Sequence, residues 1–267
     1  MDKVLSFHQG QLPLLISMPH AGLELAPAVA DGLVETARCL PDTDWHIPKL
    51  YDFAHALGAS VVAAQYSRFV IDLNRPEDDQ PLYTGATTGL YPATLFTGEP
   101  LFKAGMQPTA EQRKSYLEHI WRPYHATITR ELARLRAVHG YALLWDAHSI
   151  RSRVPHLFEG RLPDLNLGTF SGASCDPKLA ERLKDICLQA DGYTHTLDGR
   201  FKGGHITRHY GDPAKNIHAV QLELAQSTYM DEFEPFSYRA DLAQPTQQVL
   251  QRLLSAMLDW GKARYAQ

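Results

Sequence analysis

At 267 residues, 44% of them hydrophobic and 21% charged, the chain has globular composition and can bury a large core. A formal charge of -4 argues against a nucleic-acid partner, which needs clustered Lys and Arg. No apolar run approaches a bilayer span, and the early stretch Leu12 to Met18 is interrupted by Pro13, so neither a membrane segment nor a signal peptide is expected.

Leu12 to Ser17 reads as a buried strand, followed by a turn at MPHAG. From Thr43 to Leu57, Trp45, Leu50, Phe53, Ala54 and Leu57 fall at helical spacing, with Gly58 as a stop. SVVAAQY and RFVIDLN read as consecutive strands. Gln112 to His139 carries a long apolar stripe, with Pro123 as a kink or restart and Gly140 as the end. ALLW then reads as a buried strand that runs into Asp146 and His148. Asp176-Pro177 is a cap and first-turn pair for a helix through Ala190, HAVQLELA is another strand, and a final amphipathic helix carries Leu250, Leu254 and Met257.

Alternating strands and helices predict an α/β fold: a single domain over residues 1–267, a three-layer sandwich around a mostly parallel or mixed sheet. The stretches 76–108, 150–174 and 198–216 lack periodicity and are dense in Gly, Pro and polar residues, so they read as functional loops. Three cysteines (Cys39, Cys175, Cys187) share no metal-type spacing and read as reduced thiols of a cytoplasmic protein.

Ligands of open α/β sheets bind beyond the carboxyl ends of the strands. His20, Asn74-Arg75, Asp146 with His148, and Glu223 fall there, and Asp44 opens a helix nearby. Convergence of His, Asp, His and Glu suggests one Zn²⁺ per chain, with a coordination position open to water. Each residue has a plainer reading. His20 alone is an ordinary turn histidine, Asp146 and His148 form a structural pair, and Asp44 is a helix cap. Glu223 inside an apolar strand is harder to dismiss, because a buried carboxylate needs a partner. His205 and His209 have the spacing of a helical metal pair, but Gly203-Gly204 argues against a helix there.

Six stretches in this order, SMPHAG, LPDTDWHIPKLYDFA, YSRFVIDLNRP, TTGLYP, DAHSI and FKGGHITRHYG, resemble the N-formylglutamate amidohydrolase family of histidine degradation from about Leu14 to the end of HAVQLELAQ. The resemblance implies a zinc carboxypeptidase-like fold and hydrolysis of N-formyl-L-glutamate to formate and L-glutamate. It matches His20, Arg68, Asn74, Arg75, His148 and Glu223 to the wider group's motif positions, with Glu223 as general base. Carboxypeptidase-type sites place a ligand Glu three residues after the first His; here that residue is Leu23, with Glu24 one further on, and the DTDWH block offers Asp44 instead. The expected set is therefore His20, Asp44 and His148 on zinc, Glu223 and Arg68 in catalysis, and Asn74, Arg75, Gly204, His205 and Arg208 around a small dianionic substrate. Two other readings stand beside it: a zinc amidohydrolase of another N-acyl amino acid or peptide end, and a metal- or acidic-metabolite-binding protein without turnover. Oligomeric state is not encoded in any motif.

Overall fold

The computed structural model describes residues 3–82 and 88–266. Residues 83–87, within the stretch 76–108 and including Thr87 of TTGLYP, lie outside them.

Seven strands form one mixed sheet in the order β1-β3-β2-β4-β7-β5-β6. They are β1 (Leu5–His8), β2 (Leu14–Met18), β3 (Ser60–Ala64), β4 (Ala142–Ile150), β5 (Leu165–Gly168), β6 (His195–Leu197) and β7 (Ile217–Ala225). The central four, β3, β2, β4 and β7, are parallel, whereas β1 and β5 join antiparallel at either side. Every residue of β2, β3 and β4 is buried, as expected of parallel strands covered on both faces.

Leu14, Ile16, Leu143, Trp145, Leu222 and Leu224 pack on one face with the helices Pro177–Leu188 and Ala240–Tyr265. Leu15, Val62, Leu144 and Ala219 pack on the other with the helix Arg122–His139. This is the three-layer arrangement expected from the alternation of elements. Asp176 accepts a hydrogen bond from the Lys178 N–H and caps its helix as anticipated. A capping box between Thr109 and Gln112 starts the helix before Pro123. Leu117–Trp121 form a π turn just ahead of that proline, which accommodates the missing N–H, and Gly140 at φ 81° ends the helix.

The structure corrects five local readings. RFVIDLN is not a strand but a buried run of turns. Ser67 accepts from the N–H groups of Phe69 and Val70, the Asp72 N–H donates to Leu90 O, and Asp72 Oδ1 accepts from the Asn74 N–H. The segment satisfies its backbone locally, so its apolar side chains pack on the sheet without joining it. The Thr43–Leu57 helix begins only after His46, left-handed at φ 62°, and is two short pieces, Ile47–Leu50 and Phe53–Leu57, divided where Tyr51 leaves helical geometry at φ -101°, ψ 20°. β4 does not stop before Asp146 but runs through His148 to Ile150. The aperiodic stretch 150–174 contains β5, and HITRHY is a helix (His205–Tyr210) whose N-cap is Gly204. Among the described residues no helix is long and apolar enough to cross a membrane.

Candidate active site

His148 and Glu223 are direct neighbours in the register of β4 and β7, and Asp146 pairs with Gln221 in the same way. Side chains alternate along a strand, so these four project from one face. It is the face covered by the helix Arg122–His139, shared with Leu144 and Ala219. His20 lies two residues beyond β2, and its carbonyl accepts the Asp44 N–H at 3.1 Å, which ties two further segments together.

His20, Asp44 and His148, all buried, bring one ligand atom each within 4.8 Å of one another, a group able to hold a metal ion. Asp44 Oδ2 lies 3.1 Å from His148 Nδ1 and 3.6 Å from His20 Nδ1. Each ring therefore turns Nδ1 inward. His20 Nε2 meets Asp72 Oδ1 at 2.6 Å. His148 Nε2 lies 3.0 Å from both Asp146 Oδ1 and Asn74 Nδ2, although the Asp146 contact lacks hydrogen-bond alignment. Carboxylates behind imidazoles orient metal-binding histidines and raise their basicity. Glu24, the alternative second ligand, is exposed and bridges to Tyr66 instead.

The electrostatics suit a divalent cation. Asp44 and Asp146 are buried beside the His148 ring, and the buried Arg68 pairs with Asp72 at 2.6 Å while Asp44 and Asp42 add to the negative charge near it. A bound cation would offset this negative charge while both imidazoles stay neutral. Without an ion, burial opposes charge on His148, but Asp146 and Asp44 outweigh it and hold its pKa well above the usual imidazole range. Burial likewise opposes ionisation of Asp44, yet hydrogen bonds from His148 and His20 bring it down to about 2. For Glu223 burial wins and pushes the carboxyl up to about 8.

The three candidate ligands, Arg68 and Glu223 open onto one pocket. Of the expected residues, His20, Asp44, Arg68, Asn74, Arg75, His148, Gly204 and Glu223 line it. Arg75 is steadied by Thr88 O (2.6 Å) and Asn74 O (3.0 Å). Asn74 Oδ1 accepts from the Ile206 N–H, and the Gly204 N–H donates to Gln221 Oε1 at 2.7 Å. A Cβ on Gly204 would stand 2.2 Å from Asn74 Nδ2, so this close approach requires glycine.

Two expected residues are not in the lining. The His205 ring faces Trp121, His125 and His209. Arg208 donates to Gly203 O and Leu82 O and lies over Phe170. Conversely, Gln221 and Arg200 line the pocket without having been singled out from sequence. Gln221 stands two residues before Glu223 on the same face of a strand, a spacing that could have flagged it. Arg200 sits in an aperiodic loop that offers no such signal.

A family model described as N-formylglutamate amidohydrolase matches residues 12–230. An N-formylglutamate deformylase of Pseudomonas putida is 78% identical over 265 residues, covering 99% of both chains. One of Pseudomonas aeruginosa is 68% identical over 266 residues and covers 100% of both. The crystal structure of N-formylglutamate amidohydrolase from Ralstonia eutropha JMP134 superposes with a TM-score of 0.83, covering 97% of this chain and 99% of that one; at 22% identity it shows a shared fold. With a family model spanning most of its length and relatives this similar end to end, the chain belongs to the N-formylglutamate amidohydrolase family.

Proposed function

We propose that this protein is a zinc-dependent N-formylglutamate deformylase, which hydrolyses N-formyl-L-glutamate to formate and L-glutamate. The observation that carries the reading is one pocket that combines the His20, Asp44 and His148 triad, the Glu223 carboxyl and arginines suited to an anionic substrate. Its high-identity relatives, named N-formylglutamate deformylase, support the substrate. Three free cysteines fit a cytoplasmic enzyme.

His20, Asp44 and His148 would hold the zinc, which when bound supplies a Lewis acid that acidifies water to a pKa near 7 and polarises the formyl carbonyl. Glu223 takes the proton of the attacking water as its oxygen bonds to the formyl carbon. Glu223 then delivers that proton to the amide nitrogen as the C–N bond breaks, releasing formate and the free amine. Burial pushes the carboxyl up to about 8 and a nearby cation would lower it again, which suits a group that takes and returns a proton. Arg68, 3.4 Å from His20 Nδ1 and fixed by Asp72, supplies a positive charge where the oxyanion develops. Asn74 and Arg75 contribute to substrate binding.

Purified enzyme should release formate and glutamate in equal amounts from N-formyl-L-glutamate, with little turnover of N-acetylglutamate. A chelator should abolish turnover and zinc should restore it. Faster hydrolysis of the acetyl compound, or full activity after verified metal removal, would overturn the reading.

A further inference from the structure

The proposed substrate carries two carboxylates, and enclosing a dianion requires a cationic partner for each. Arg68 is already committed to Asp72 beside the metal ligands. Arg75 also lines the pocket, its guanidinium held by Thr88 O and Asn74 O, and the Asn74 amide touches His148. Arg200 enters the same pocket from another loop, next to Phe201, with Ile150 and Leu157 also in the lining. Its Nε donates to Leu157 O at 3.0 Å. That bond anchors the guanidinium in the lining. An apolar lining that also carries a charged fork suits the two methylenes and the terminal carboxylate of a glutamyl side chain.

Resting on the deformylase reading, we infer that Arg200 is the specificity-determining residue that binds the side-chain carboxylate, while Arg75 serves the α-carboxylate. The bidentate geometry of guanidinium and carboxylate makes this selective for a dicarboxylate over its uncharged amide.

The test compares kcat/KM for N-formylglutamate and N-formylglutamine, equal in shape and differing by one charge, in wild type, Arg200→Met and Arg200→Lys. Wild type should prefer N-formylglutamate. Arg200→Met should lose on the order of 30- to 4,000-fold on N-formylglutamate, keep its turnover of N-formylglutamine, and so collapse the preference. Arg200→Lys, which retains a charge but not the fork, should fall between, and it carries the test should the Met variant fail to fold. A preference unchanged in both variants, or equal losses on both substrates in Arg200→Lys, overturns the assignment. So does a wild type that cleaves the two substrates equally, which leaves the deformylase reading intact. A wild type inactive on N-formylglutamate overturns the deformylase reading itself.

Discussion

His148 and Glu223 stand at the same level on neighbouring parallel strands, paired residue to residue between β4 and β7. A candidate metal ligand and a candidate proton carrier thus sit on paired strands of the central sheet, which sets their separation. The substitution Glu223→Gln keeps the shape and removes the ability to accept a proton. It should lower kcat by at least about 10²-fold, with metal content unchanged by elemental analysis. Near-normal turnover would make Glu223 a structural residue.

Metal content tests the ligand set. His20→Ala and His148→Ala should each lose the ion, against about one zinc per chain in wild type. Asp44→Asn should weaken binding, whereas Glu24→Gln, altering an exposed side chain, should not. If Glu24→Gln alone strips zinc, the second ligand is Glu24.

Asp72 joins two functions, meeting His20 Nε2 at 2.6 Å and Arg68 Nη2 at 2.6 Å. Burial opposes its charge, but Arg68 and His20 prevail and hold its pKa well below the usual carboxylate range. Asp72→Asn should weaken metal affinity about 10- to 100-fold, read by competition with a chelator. It should also cost up to about 3–5 kcal/mol of stability, because Arg68 is left buried without its counter-charge. Unchanged metal affinity with lowered stability would confine Asp72 to the ion pair.

Acid should destabilise the fold through histidines held neutral by burial. His125, between Tyr210 OH and Leu73 O, is pushed down to about 3, and His218, between the Asp176 N–H and Tyr265 OH, to about 4. A depressed imidazole pKa means that the unfolded chain binds more protons below its ordinary value of about 6.5. Their contribution is therefore complete above about pH 6.5 and declines as pH falls toward 4, by at most about 1.4 kcal/mol per pH unit for each histidine. Urea unfolding between pH 4.5 and 7 should give a shallower acid slope for His218→Gln than for wild type. Parallel slopes would show that His218 is not held neutral.

Length, pattern and residue type made the framework legible before any coordinates. The buried strands β2, β4 and β7, the capped helix after Asp176 and the break at Pro123 follow from local rules of periodicity, capping and backbone donors. His20, His148 and Glu223 stood out as polar groups at the ends or in the middle of apolar strands, whereas Asp44 entered the set through the resemblance of the DTDWH block. What tertiary structure alone decided was partnership. RFVIDLN has the composition of a strand, but its turns close through Ser67, Asp72 and Leu90, and apolar pattern reports burial without saying which backbone groups pair. Glu24 and Asp44 compete on spacing, yet only the chain path brings Asp44 beside both rings. Arg200 and Arg208 both sit in one Gly-rich, aperiodic stretch. Arg200 comes from a loop and lines the pocket, whereas Arg208 sits on the short helix His205–Tyr210 and stacks on Phe170, and a sequence stretch without a period shows neither direction.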